Sequence, residues 1–167
     1  MKSKLLVIFF VLLAGCNTAN KPMTDEQKAA VKEEATVVVQ QMFDAIKVSD
    51  GEKWMGFMEN SPDATFISFG DIYTFDQMKE MASQYIPLIK KQTFITKSEK
   101  YIIIDPGCFI YLWQGDNGMY MTSGDSTILK DYVLTYTYRK IDGNWKLVCG
   151  HESEKAPMPS IDTVKTE

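Results

Sequence analysis

The stretch "TYTYRKIDGNWKLVCGHES", residues 135–153, consists of two segments with alternating polar and apolar residues, joined by Asp142-Gly143. An Asp-Gly pair in this position is a strong signal for a two-residue hairpin, because both central residues of a type I′ turn have positive φ. Residues 127–140 and 145–153 are therefore predicted to form the last two strands of an antiparallel meander.

The final predicted strand carries His151, the only histidine of the chain. Alternate residues of a strand share one face. The row containing this histidine is expected to consist of Trp145, Leu147, Cys149, His151 and Ser153. His151 is thus predicted to lie in a largely apolar row, on the face opposite Glu152.

Further strands are predicted upstream from β-branched and aromatic residues between turn signals. "ATFISFG" at 64–70 predicts one strand and "DIYT" a short second one, while 93–105 and 108–114 extend the meander. The glycine-rich segment 115–125 is interpreted as a hairpin loop.

Helices are predicted before the meander. Thr24 and Thr74 each precede a glutamine by three residues, the spacing of a capping box, and apolar residues then recur at intervals of three and four. Asp50 is expected to cap a short helix between these two, and Pro87 to bend or end the third. Helices followed by an antiparallel meander indicate an α+β fold with the helices on one sheet face.

The amino terminus has the features of a secretory signal. Lys2 and Lys4 precede an apolar run, residues 5–13, that is shorter than the roughly 20 residues of a membrane-spanning helix. The sequence "LAGC" ending at Cys16 resembles the bacterial lipobox, in which cleavage before the cysteine leaves a thiol that carries a diacylglycerol. Residues 1–15 are thus predicted to be a signal peptide, and Cys16 a lipidated membrane anchor.

The mature chain is predicted to hold one domain. Residues 16–23 are interpreted as a tether, 24–153 as the domain and 154–167 as a disordered tail. Loss of Lys2 and Lys4 leaves 16 basic against 22 acidic residues, a net charge of −6. Such a surface repels phosphate backbones, so no nucleic-acid partner is expected.

The order long helix, short helix, strand, helix and long meander resembles the NTF2-like fold, the cone-shaped domain of ketosteroid isomerase, scytalone dehydratase and the SnoaL-like and DUF4440 groups. Residues 135–153 are similar to a DUF4440-type ending with Arg-Lys, an Asp-Gly turn, Trp-Lys and His-x-His-x-Ser. Cys149 stands where those relatives often have the first histidine, which puts two-histidine chemistry in doubt.

The resemblance implies a concave cavity between helices and sheet, with His151 toward its mouth. His151 is then a candidate catalytic acid or base, and also a candidate for simple hydrogen-bonded packing. Its candidate partners are Asp71, Tyr73, Tyr85 and Asp131. A pocket for a flat apolar ligand could be lined by Trp54, Tyr85, Trp113 and Tyr136, although each of these side chains can equally fill the core.

Other chemistries lack their motifs. One histidine and separated thiols do not supply a Cys/His zinc site, and neither a phosphate-binding glycine loop nor a calcium loop occurs, so no metal or cofactor is predicted. Cys108 and Cys149 are expected on strands separated by a third, about 9–10 Å apart, and therefore unpaired.

Three functions are consistent with this sequence. The first is a lipid-anchored domain of the bacterial cell envelope, periplasmic or on the outer surface, whose cavity binds a small, partly apolar ligand. The second is a cofactor-independent enzyme of the isomerase, dehydratase or cyclase type. The third is an interaction module with a filled cavity that forms a homodimer through the sheet. The openness and polar lining of the cavity discriminate among them.

Overall fold

The helices and strands follow the predicted order. The structure is a computed structural model that describes residues 22–68 and 70–154; the predicted signal peptide, Cys16 and the tail beyond Glu154 lie outside this part. The helices are α1 (Asp25–Lys47), α2 (Gly51–Met55) and α3 (Phe75–Tyr85), the last followed by a 3₁₀ turn (Ile86–Leu88). The strands are β1 (Thr65–Ser68), β2 (Asp71–Tyr73), β3 (Ile89–Asp105), β4 (Cys108–Met121), β5 (Ser126–Ile141) and β6 (Asn144–Ser153).

Both predicted capping boxes are present. The Thr24 hydroxyl accepts from the Gln27 amide while the Gln27 side chain accepts from the Thr24 amide, and Thr74 and Gln77 do the same for α3. These reciprocal bonds satisfy amides that have no partner within the helix. Asp50 caps α2 as predicted, through the Lys53 amide.

The six strands form one curved, mixed sheet in the order β2-β1-β6-β5-β4-β3. Neighbouring strands are antiparallel with one exception: β1 runs parallel to β6, with Ser68 beside Glu152. The expectation of a wholly antiparallel sheet was therefore wrong at this pair. A parallel pair requires a long crossover, and the chain between β1 and β6 supplies it with α3 and the meander.

Residues 115–121 belong to β4, so the prediction of a loop from residue 115 was wrong. The glycines serve close packing: a Cβ on Gly115 would lie 2.2 Å from the Ile95 carbonyl oxygen, and one on Gly118 would lie 2.6 Å from the Thr93 hydroxyl. Glycine is required where two neighbouring strands approach each other so closely. The turn comes later, at Gly124, where φ is +100°.

The Asp142-Gly143 hairpin is confirmed, with φ of +49° and +79° at its two central residues. Cys108 and Cys149 are free thiols on β4 and β6, with β5 between them, as predicted. In the described part of the chain, no helix combines the length and apolar character needed to cross a bilayer.

A fully buried part of the core lies between α1 and the sheet. Phe109 and Tyr138 are fully buried and stack with ring centroids 4.8 Å apart, and Trp145 meets Phe109 edge-on at 4.9 Å. The predicted apolar face of α1 is buried, namely Val31, Ala35, Val38, Met42 and Ala45, and three of these residues join the core cluster: Ala35, Val38 and Met42. Burial of these side chains supplies much of the driving force for folding.

Candidate functional site

A cavity of about 830 Å³ opens between α3 and the inner face of the sheet. Its rim consists of exposed side chains, among them Glu80, Gln84, Tyr85 and Thr127. Its walls are mostly apolar and include Phe43, Ile46, Trp54, Met81, Ile86, Ile89, Phe94, Met119, Met121, Leu129 and Leu134. A concave, open and largely apolar space with a few polar groups is the usual form of a small-molecule site.

Glu152 is the carboxylate in the wall formed by the sheet. The Tyr132 hydroxyl donates to its Oε2 at 2.5 Å, the Ser68 hydroxyl donates to the same oxygen at 3.2 Å, and the Tyr136 hydroxyl donates to Oε1. The register explains this convergence. Glu152 on β6 pairs with Leu134 of β5, so Tyr132 and Tyr136 flank it, and Ser68 is its neighbour on β1.

The two tyrosines are neutral donors. Burial and the nearby Glu152 carboxylate together raise the pKa of Tyr132 and of Tyr136 well above the ordinary tyrosine value. Both hydroxyls therefore stay protonated at neutral pH and can donate to the carboxylate. An ionised carboxylate has about four acceptor positions, and these three hydroxyls leave one of them, on Oε1, for a ligand.

A second polar group lies elsewhere in the cavity wall. The Asn117 amide nitrogen on β4 donates to the Gln92 side-chain oxygen on β3 at 3.3 Å. The Asn117 side-chain oxygen is buried and accepts no hydrogen bond from the described residues. A buried polar atom without a partner costs roughly 1–3 kcal/mol, and this oxygen is covered by surrounding protein atoms.

The cavity carries negative charge only. Of the described residues that line it, none is lysine, arginine or histidine, whereas Glu152 lies in its wall and Glu80 on its rim. In the described part of the chain, no three histidine, cysteine or acidic side chains are grouped so that they could hold a metal ion.

Four of the predicted site residues line this cavity: Trp54, Tyr73, Tyr85 and Tyr136. Trp113 lies in the packed core, where its indole nitrogen donates to the Thr96 hydroxyl at 2.8 Å and its ring contacts Phe43 and Phe94. The interpretation of Trp113 as a cavity residue was therefore wrong.

His151 is exposed on the outer face of the sheet, so its predicted place in the cavity was wrong. A β-bulge is the cause. Thr137 pairs with Cys149 whereas Tyr138 pairs with Leu147, so Val148 is an extra residue that reverses the alternation. Trp145 and Leu147 point inward as predicted, but beyond the bulge the inward residues include Glu152.

The two predicted aspartates also lie outside the cavity lining. Asp71 is exposed and accepts from the Tyr73 hydroxyl at 3.5 Å. Asp131 adopts φ of +52° at an irregularity of β5, and Lys97 binds both Asp131, at 2.8 Å, and Asp116. Asp131 therefore stabilises a strand distortion and does not reach the site.

Glu152, Ser68, Tyr132 and Asn117 were not identified from the sequence. One signal pointed to them: Gly150 interrupts the last strand, and a glycine inside a strand often marks a bulge or a close approach. A Cβ at Gly150 would lie 3.2 Å from the Phe66 ring and 3.3 Å from the Tyr136 ring, so Gly150 faces inward. Glu152, two residues later, faces inward with it.

No protein-family model and no curated protein matches this sequence. Solved structures do match its fold. An NTF2-like superfamily protein from Salmonella enterica has 16% identity, a TM-score of 0.69, and coverage of 81% of this chain and 98% of that one. A hexachlorocyclohexane dehydrochlorinase from Novosphingobium barchaimii has 12% identity, a TM-score of 0.62, and coverage of 86% and 100%.

The association domain of the Caenorhabditis elegans kinase CaMKII also matches, with 18% identity, a TM-score of 0.61, and coverage of 78% of this chain and 99% of that one. This chain therefore has the NTF2-like fold. That fold is found in an enzyme and in an association domain alike, so the fold alone does not determine the function.

Proposed function

We propose that this domain binds a small, largely apolar molecule in the cavity between α3 and the sheet. The observation that carries the proposal is the Glu152 carboxylate, held by three hydroxyls in the wall of an open cavity of about 830 Å³. That volume lies within the range of roughly 300–1,000 Å³ typical of small-molecule sites. The apolar walls supply affinity, and the polar groups fix the ligand's orientation.

A neutral fluorescent probe, N-phenyl-1-naphthylamine, tests this proposal with two matched variants. Leu129 lines the cavity, and its neighbour Ile128 is exposed. Leu129→Trp should fill part of the cavity and weaken probe binding by about tenfold or more, whereas Ile128→Trp should leave it unchanged. Absence of binding to the unmodified protein, or equal binding by both variants, would overturn the proposal.

A second candidate function is an enzyme of the isomerase, dehydratase or cyclase type with Glu152 as its base. The carboxylate beside an apolar cavity favours it, since such a group can take a proton from a bound carbon acid. The fold neighbour named as a dehydrochlorinase offers an analogy. Proton-deuterium exchange into bound ketones or chlorinated hydrocarbons, followed by NMR, should then depend on Glu152 and disappear in Glu152→Gln.

The third alternative, an interaction module, required a filled cavity, and the cavity is open. Homodimerisation through the sheet remains part of the proposal. Half-buried apolar side chains on the sheet support it, namely Ile110, Leu112, Val133 and Val148. The fold neighbour from the CaMKII association domain is a precedent. Sedimentation equilibrium should give twice the chain mass, and Val133→Glu should give the monomer.

We further propose that Cys16 carries lipid and holds the domain on a membrane of the bacterial cell envelope. The lipobox-like residues ending at Cys16 support this placement. Cys16→Ser should release the protein into the soluble fraction and abolish palmitate labelling, because thioether formation needs sulfur. Labelling that persists in the variant contradicts the proposal.

A further inference from the structure

The lining of the cavity has an uncompensated charge. Lysine, arginine and histidine are all missing from the described residues that line it, so Glu152 has three neutral donors and no cationic partner there. Neutral donors solvate a carboxylate without cancelling its charge, and a charge beside apolar walls costs free energy unless it is paired. A bound cation removes that cost.

The position left open on Glu152 also favours a donor. Oε1 receives one hydroxyl, from Tyr136, whereas Oε2 receives two, from Tyr132 and Ser68. An ammonium group that donates to Oε1 completes the carboxylate's set of four hydrogen bonds and forms a charge-assisted bond. A ligand carboxylate or phosphate at the same place is repelled.

The aromatic lining agrees with this charge. Trp54, Tyr73 and Tyr85 lie in the wall and rim of the cavity. The faces of such rings attract ammonium groups, and the attraction grows as the cation loses water. The Glu80 carboxylate on the rim adds to the negative potential that a cation meets on entering.

We propose that the cavity selects an organic amine, a molecule with an apolar body and an ammonium group that binds Glu152. This inference rests on the proposed binding function and specifies the ligand class. Apolar contacts hold the body, and the Glu152 carboxylate disfavours anionic molecules of the same shape.

Three probes of one shape test the charge preference: 1-naphthylmethylamine, 1-naphthylmethanol and 1-naphthoate. Affinities are measured by isothermal titration calorimetry at neutral pH. The amine should bind about tenfold more tightly than the alcohol, because the alcohol donates a hydrogen bond but carries no charge. The carboxylate should bind more weakly than the alcohol.

Two variants assign the preference to Glu152. Glu152→Gln should bring the amine and alcohol affinities within about threefold of each other, because the amine loses its charge-assisted bond whereas the alcohol loses at most a weaker, uncharged one. Glu99→Gln is the matched control, since Glu99 also accepts from a tyrosine, Tyr111 at 3.1 Å, but lies outside the cavity lining. It should retain the preference.

The outcomes separate this inference from the proposed function. The inference is overturned if the unmodified protein binds the amine and the alcohol equally, or if it does not bind the amine at millimolar concentration. In either case the proposed function still stands if the neutral fluorescent probe binds. A preference that survives Glu152→Gln also overturns it. Failure of every probe overturns both. The selectivity of the unmodified protein does not depend on whether a variant folds.

Discussion

The inner face of β5 runs through two different environments. At the closed end, defined by Phe109, Tyr138 and Trp145, aromatic rings pack against one another under α1. At the open end, defined by Tyr132, Tyr136 and Glu152, the same row of inward tyrosines faces the cavity. Tyr136 and Tyr138 are alternate residues of one strand, yet their hydroxyls have different partners.

The covering helix makes the difference. Helix α1 buries seven side chains, of which only Phe43 lines the cavity, and at the closed end the Tyr138 hydroxyl contacts the sulfur of Met42 at 2.9 Å. At the open end, α3 buries only Met78 and Ala82, so the tyrosine hydroxyls bind Glu152 beside open space. The covering helix therefore decides whether a tyrosine hydroxyl on this sheet meets an apolar side chain or a carboxylate.

The largest expected difference between the ends is the effect of removing a large side chain. Phe109→Ala should lower the free energy of unfolding by about 3–5 kcal/mol, because the rigid closed end leaves a cavity behind. Leu129→Ala at the open end should cost less than about 2 kcal/mol, since its side chain already borders open space. Urea unfolding measures both, and equal costs would show that the open end is packed as tightly.

Removing a single hydroxyl from Tyr136 or from Tyr138 tests the difference between the open end and the closed end. Tyr136→Phe removes a donor from Glu152 and should destabilise the domain by about 1–3 kcal/mol. Tyr138→Phe removes only a weak contact with the Met42 thioether and should cost about 1 kcal/mol or less. Thermal and urea unfolding provide the measurement. The reverse order contradicts the assigned hydrogen bonds.

High pH should affect both ends in the same direction. Burial, with nearby carboxylates and tyrosines, raises the pKa of Tyr111, Tyr132 and Tyr136, and burial with Tyr101 raises that of Tyr138. Above the ordinary tyrosine pKa of about 10, the unfolded chain loses protons that the folded chain keeps. Stability is therefore fully present below pH 10 and falls above it.

Each such tyrosine should contribute about 1.4 kcal/mol per pH unit to that decline. Urea unfolding between pH 8 and pH 11 measures the slope. Tyr136→Phe and Tyr138→Phe should each reduce the slope by the share of one tyrosine. A stability that is flat to pH 11 contradicts the burial of these hydroxyls.

The smallest expected effect is that of His151, which belongs to neither end. His151→Ala on the exposed outer face should change the free energy of unfolding by less than about 0.5 kcal/mol. It should also leave binding of the neutral fluorescent probe and of 1-naphthylmethylamine unchanged. Calorimetric titration of the variant beside Glu152→Gln makes the comparison. A loss of affinity in His151→Ala would place the ligand on the outer face.

Local signals predicted most of the fold. The capping residues Thr24 and Thr74, the break at Pro87 and the Asp142-Gly143 turn each act within a few residues, so the sequence alone determined the helices and the hairpin. The parallel pairing of β1 with β6 was not predictable in this way. It depends on segments that are distant in sequence.

The candidate site was harder to predict because it depends on strand register. Periodicity assigns faces only while the alternation is unbroken, and Val148 breaks it before His151 and Glu152. Tyr136 was proposed only as one of four aromatic residues for a flat ligand, and it lies on β5 at a position where the alternation holds. The unpartnered oxygen of Asn117 could not be predicted, since its isolation results from three-dimensional packing.

The parallel pairing of β1 with β6 has a consequence for timing. Ser68 and Glu152 are 84 residues apart, and Glu152 is the next-to-last residue of the last strand. During synthesis, Glu152 leaves the ribosome only after nearly the whole domain has emerged. Contacts between segments so distant in sequence also form slowly. The acceptor is thus absent from every shorter nascent chain, so binding of the proposed ligand requires the completed domain.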